Sequence, residues 1–132
     1  PCFSIKARIA YFKTVPAGLG ISYGHTYITT KPTHIITIPV GYGDGLRRCL
    51  SNKGEILLNG KRYPIVGTIC MDQFMVDIGS DSGYVGDVVT IIGYDQGQKI
   101  TVEDLSQACD TIPYEILCSF NDRLPRLYKY SK

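Results

Sequence analysis

Glu55-Ile56-Leu57-Leu58-Asn59-Gly60-Lys61-Arg62-Tyr63-Pro64 carries the clearest local signal in the chain. Asn59-Gly60 separates the apolar run Ile56-Leu57-Leu58 from Arg62-Tyr63. That spacing predicts a two-residue type I′ hairpin, in which both turn residues take positive φ. Working outward, Ile65-Val66 leads into Gly67-Thr68-Ile69-Cys70-Met71-Asp72. Phe74 to Ile78 alternates, with Phe74, Val76 and Ile78 on one face, as a half-buried strand does. Gly79 to Gly86 is a turn-rich loop, and Asp87 to Ile92 reads as the last long strand. Upstream, His34 to Val40 is β-branched at nearly every position, which suits a strand buried on both faces. Phe3 to Val15 reads as one strand closed by Pro16-Ala17-Gly18. Ile21 to Tyr27 reads as another, followed by a turn at Thr29-Thr30-Lys31-Pro32.

Helical character comes late. Thr101-Val102-Glu103-Asp104 has the pattern of a capping box ahead of Leu105 and Ala108. Thr111-Ile112-Pro113-Tyr114-Glu115 starts a second short helix, with Pro113 in the tolerated first turn. Seven or eight strands and two short helices near the C-terminus make the chain all-β in class. A Greek-key-like β-barrel, closed or partly open, handles that many strands without long edges. An open sandwich is the alternative.

The 132 residues are expected to form a single domain, 1–132, long enough for a real core. Hydrophobic residues at 44% and charged residues at 20% describe a globular protein. Fourteen Lys and Arg against twelve Asp and Glu leave a formal charge of +2, too little to imply nucleic acid through bulk electrostatics. No apolar run approaches the roughly 18 residues of a membrane span. The chain starts at Pro1 rather than Met, so it is read as processed or cut from something larger. Five cysteines (Cys2, Cys49, Cys70, Cys109, Cys118) are irregularly spaced and contain no Cys-x-x-Cys pair. They read as small apolar residues of a reducing cytoplasm rather than as a zinc site.

Candidate chemistry centres on Ile21-Ser22-Tyr23-Gly24-His25-Thr26-Tyr27. Tyr23, His25 and Tyr27 share one face of an alternating strand, and all three can carry or move a proton. Gly41-Tyr42-Gly43-Asp44-Gly45 resembles a phosphate loop only superficially. It lacks the third glycine and long helix of the dinucleotide pattern and the Lys-Ser/Thr of a P-loop. His25 and His34 are too few to argue a metal. Arg123, Arg126, Lys129 and Lys132, interleaved with Tyr128 and Tyr130, are the best argument for a small nucleic-acid-binding module, but four charges are a small footprint.

Six motifs resemble the C-terminal domain of bacterial alanine racemase, in the family's order and near its spacing. They are Ile21-Ser22-Tyr23-Gly24, Ile38-Pro39-Val40-Gly41-Tyr42-Gly43-Asp44-Gly45, Ile65-Val66-Gly67, Ile69-Cys70-Met71-Asp72-Gln73, Thr111-Ile112-Pro113-Tyr114-Glu115 and Arg123-Leu124-Pro125-Arg126. The resemblance runs almost end to end. It implies a pyridoxal-phosphate enzyme that interconverts L- and D-alanine for peptidoglycan, in the cytoplasm. An N-terminal TIM barrel bears the Schiff-base lysine and holds most of the cofactor, and the mainly β domain follows it. The resemblance further implies a head-to-tail homodimer, each active site taking residues from the partner's C-terminal domain. Tyr23 falls on the catalytic tyrosine, which abstracts or returns the α-proton on the face opposite the lysine. Met71 falls on a methionine whose backbone helps place the substrate carboxylate. Tyr42, Ile112 and Tyr114 fall on the lining of a narrow access corridor, and Tyr114 also on a contact to the cofactor phosphate. Arg48 aligns loosely with an outer-corridor arginine.

Two departures matter. The lysine segment and the barrel's phosphate loops are absent, so this chain by itself is expected to be inactive. Thr68 stands where the family often has arginine. A related amino-acid decarboxylase with a similar β domain is the enzymatic rival, but such enzymes place a cysteine and an aspartate, not this tyrosine, across from the cofactor, and Ser22-Tyr23-Gly24 argues against it.

Overall fold

The computed structural model describes residues 4–21 and 27–120. The hairpin at its centre is as the sequence predicts. β6 (Glu55–Leu58) pairs antiparallel with β7 (Lys61–Val66), Leu58 opposite Lys61. Asn59 and Gly60 have φ of 52° and 77°, the positive pair a type I′ turn requires. β8 (Phe74–Gly79) extends the meander, its strict alternation putting Phe74, Val76 and Ile78 inside. β9 (Val88–Asp95) then crosses back and pairs with β6, Leu57 opposite Thr90. Three sequential strands with the fourth returned beside the first make a Greek key.

β5 (Thr33–Ile38) joins the other side of β8. Its β-branched run serves two cores at once. Ile36 and Ile38 face the main one, built from β6 to β9, while Ile35 faces a smaller one with Val15, Ile21 and Val66. That is the two-sided burial expected of it.

The expected first strand is two. β1 (Ile5–Arg8) pairs with β9, and β2 (Tyr11–Val15) pairs with β5. The change of partner falls at Ile9-Ala10. The Ile9 amide donates to Asp87 O at 2.9 Å and the Ala10 amide to Thr37 O at 2.9 Å. β1 and β2 thus cap opposite ends of the order β1-β9-β6-β7-β8-β5-β2. The two ends meet through the covalent chain and not through a hydrogen-bonded ladder, so the sheet is open by pairing.

Other boundaries also moved. β3 (Gly20–Ile21) and β4 (Tyr27–Ile28) pair antiparallel, Ile21 opposite Tyr27, so Ile21 to Tyr27 is not one continuous strand. β9 runs three residues further than predicted and turns at Gln96-Gly97 (φ 46° and 86°) into β10 (Gln98–Ile100). α1 (Val102–Ala108) is capped as expected. Thr101 Oγ1 accepts from the Asp104 amide at 3.1 Å and Asp104 Oδ2 from the Thr101 amide at 2.8 Å. α2 (Pro113–Ser119) starts on Pro113.

The cysteine expectation is overturned. Cys49 and Cys109 form a disulfide, tying the 3-10 turn Arg48–Leu50 to the end of α1. Cys70 is half-buried and Cys118 exposed, both as thiols. No described helix is long and apolar enough to cross a membrane. Among the described residues no cluster of His, Cys, Asp and Glu is placed to hold a metal.

Candidate functional site

The glycine corner is built by backbone contact. β5 ends at Ile38, and Gly41 follows with its Cα against the next motif. A Cβ there would lie 2.2 Å from Cys70 O and 2.4 Å from Met71 O. The Tyr42 amide donates to Cys70 O at 3.0 Å and the Gly43 amide to Met71 O at 2.9 Å. Tyr42 and Met71, 29 positions apart in sequence, are therefore held side by side by their main chains. Asp44 folds the corner back: its buried carboxylate accepts from the Gly41 amide at 3.0 Å, while its own amide donates to Gly41 O. Gly45 closes the 3-10 turn Tyr42–Asp44 at φ 105°.

The third motif docks on the other side of this corner. A Cβ on Gly45 would lie 2.0 Å from Ser119 O and 2.5 Å from Phe120 Cα, so the end of α2 rests directly on the glycine. Arg47 reaches Glu115 at 3.7 Å, and the Thr111 hydroxyl donates to the same carboxylate at 2.7 Å. The ion pair is half-exposed and contributes at most about 1 kcal/mol. Arg48 lies over the Tyr42 ring, 5.5 Å from its centroid, a cation–π contact that orients the ring. The Cys70-Met71 segment is fixed from behind. Ser51 Oγ accepts from the Ile69 amide at 2.8 Å, and Asn52 Oδ1 accepts from the Gly67 amide at 2.7 Å.

Three motifs distant in sequence are thus joined, and their large side chains are left open. Tyr42 is 45% exposed, Met71 52%, Ile112 57% and Tyr114 71%. The Tyr114 phenol is pushed above its ordinary pKa, first of all by a hydrogen bond with the Cys118 thiol one turn on. Tyr23 and the Arg123–Arg126 motif lie outside the described residues. Tyr27 donates to Asp77 Oδ2 at 2.7 Å, and burial followed by this bond raises its phenol to about 12.

Asp44, Asp77 and the Arg47–Glu115 pair were not singled out from the sequence. Asp44 carried a signal, an Asp three residues after a glycine in a tight corner. Asp77 carried none, because its partner is fifty residues away.

The chain belongs to the family described as "Alanine racemase, C-terminal domain", whose model matches residues 2–128. It is 47% identical over 131 residues to alanine racemase 2 of Caldanaerobacter subterraneus subsp. tengcongensis, covering 98% of this chain and 34% of that protein. It is similar in structure to the alanine racemase of a D-cycloserine-producing Streptomyces lavendulae, with TM-score 0.93 and 43% identity over 98% of this chain and 34% of that one. It is also similar to the Bartonella henselae alanine racemase with covalently bound pyridoxal phosphate, with TM-score 0.88 and 37% identity over 96% and 34% of the two chains. The chain therefore spans about a third of the length of the relatives it matches.

Proposed function

We propose that residues 1–132 are the C-terminal β domain of a longer alanine racemase that interconverts L- and D-alanine with pyridoxal phosphate. A TIM barrel on the N-terminal side would carry the lysine and most of the cofactor contacts. The protein would act in the cytoplasm as a head-to-tail homodimer, supplying D-alanine for peptidoglycan. The observation that carries this reading is the backbone junction of the Gly41–Gly45 and Cys70–Asp72 motifs, with the end of α2 seated on Gly45, within a chain of this family.

Pyridoxal phosphate, when bound, supplies the electron sink that makes the α-proton of alanine removable. The part left to this domain is positional and acid–base. Tyr23 Oη takes the α-proton of L-alanine, or returns it in the reverse direction, while a base outside this chain serves the opposite face. A phenol with its ordinary pKa of about 10 is a poor base at neutral pH, so cations or a proton-accepting partner must draw it down. Arg48 is engaged over Tyr42, which points to groups of the barrel for that role. Met71 offers main-chain contact to the substrate carboxylate. Tyr42, Ile112 and Tyr114 would line the corridor and keep it narrow, and Tyr114 would also reach the cofactor phosphate.

The test is Tyr23→Phe in the full-length enzyme. Turnover of L-alanine is expected to fall by about 10²- to 10⁴-fold, the usual contribution of a positioned acid–base group, with the fold intact by circular dichroism. Near-normal L-to-D turnover would remove the assignment. The same chain as a nucleic-acid module would show a steep loss of RNA or single-stranded DNA binding with salt. Nothing among the described residues favours that reading over the family's.

A further inference from the structure

The Cys49–Cys109 disulfide joins two segments that both lead into the exposed side chains of the site. Cys49 follows Arg48, whose guanidinium lies 5.5 Å from the Tyr42 ring centroid, and precedes Leu50, buried in the main core. Cys109 ends α1, and Ile112 and Tyr114 stand three and five residues further on. The stretch between them is pinned. Asp110 turns the chain at φ 52°, and the Thr111 amide donates to Ser106 O at 2.9 Å. The Thr111 hydroxyl holds Glu115, and Glu115 meets Arg47. Segments 47–49 and 109–115 are therefore closed into a ring, by a covalent bond at one point and an ion pair at another.

The two fastenings are unequal. The half-exposed ion pair holds weakly against solvent, and the disulfide is the strong link. The far end of α2 is held separately, by the seat of Ser119 and Phe120 on Gly45. Opening the bridge thus leaves α2 fixed at its last turn and loosened at its first, where Ile112 and Tyr114 stand. Both cysteines are half-buried, so neither is sealed in the core.

We propose that the Cys49–Cys109 bridge is a redox-sensitive clamp that sets the selectivity of the corridor. Closed, it holds Tyr42, Ile112 and Tyr114 in a narrow arrangement; opened, it admits larger amino acids. The inference rests on the reading of these three residues as corridor lining. In the cytoplasm of that reading, a disulfide that persists is uncommon and a reversible one is the usual kind. Opening is exchange with a dithiol. Its thiolate attacks one sulfur, the S–S bond breaks, and the released cysteine takes a proton. The second thiol then displaces the other cysteine from the mixed disulfide. Two electrons and two protons pass to the cysteines, and the dithiol becomes a disulfide. A low-molecular-weight disulfide reverses the process.

The test uses the full-length holoenzyme, treated with oxidised glutathione or with dithiothreitol. Mass spectrometry of alkylated peptides gives the state of Cys49 and Cys109. In each state kcat/KM is measured for L-alanine and for the larger L-serine. Their ratio is the readout, since it does not depend on how much enzyme is folded or loaded. A bridge that merely stabilises the domain leaves it unchanged. Reduction is expected to raise the serine-to-alanine ratio about 3- to 10-fold, part of what one added group is worth in a close-fitting pocket. Reoxidation should restore it. The double variant Cys49→Ser/Cys109→Ser should hold the reduced ratio under both treatments, and reduced wild type serves should that variant not fold. Amide exchange at residues 109–116 should quicken on reduction while β8 stays protected. An equal ratio in both states, a bridge that does not form with oxidised glutathione, or a double variant that still responds through Cys118 or elsewhere would overturn the clamp. Racemisation with an unmoved ratio removes the clamp alone. If neither state racemises either amino acid, the racemase reading fails and takes the selectivity role with it.

Discussion

Gly45 shows how a single residue carries the site. Its φ of 105° lies where a side chain is strained, and the space a Cβ would fill holds the main chain of Ser119 and Phe120. Main chain cannot step aside as the end of a side chain can. Gly45→Ala is therefore expected to destabilise the domain by about 1–3 kcal/mol from the backbone alone. It should also lift α2 off the corner. A urea titration reads the first effect, and a raised KM for alanine in the folded fraction reads the second. An unchanged urea midpoint would mean the α2 contact is looser than the geometry requires. At this scale the sequence was informative only through motifs. Tyr42, Met71, Ile112 and Tyr114 look like ordinary core candidates by composition, and the structure instead leaves all four uncovered. Tyr27 with Asp77 was invisible, since neither residue type nor spacing links positions on different strands.

Among the elements, the local signals that were strong in sequence were right in space. Asn59-Gly60 made its turn, and Thr101 with Asp104 made its capping box. Gly60→Val is expected to cost about 1–3 kcal/mol, because a β-branched residue is poorly suited to φ 77°. The added Cβ would also meet Gln96 Cβ at 2.9 Å, in the neighbouring turn. A lowered thermal midpoint checks this. Where the reading failed, the deciding contact was distant. Gln96-Gly97 lacks the Asn or Asp that marks a hairpin, so β10 was missed. The kink at Ile9-Ala10 is imposed by two different partner strands, Asp87 on one side and Thr37 on the other, and no local residue announces it. The disulfide was missed for the same reason: Cys49 and Cys109 are 60 positions apart, and only the docking of α1 brings them together.

At the scale of the described molecule, the stretch from β1 to β2 links the two end strands of the open sheet. Ile9 sits at the joint, 1% exposed within the main core, and its carbonyl accepts from the Gly86 amide at 2.8 Å. Ile9→Ala is expected to remove about 2–5 kcal/mol, more than a site of equal burial away from the joint if the surrounding strands cannot collapse inward. Denaturant midpoints of Ile9→Ala and of Ile78→Ala, on β8, make the comparison. The mostly β class and the two late helices were legible because they follow from periodicity and capping. The joint was not, because it depends on which strands lie at the two ends of the order.

The joint also bears on how the molecule is made. Ile5 pairs with Ile92, so within this domain β1 is made long before the strand it pairs with. Such long-range pairing is slow, and unpaired β-edges attract the wrong company meanwhile. Nascent chains halted before β9 should thus lean on chaperones, and release from them should coincide with the emergence of residues 88–92.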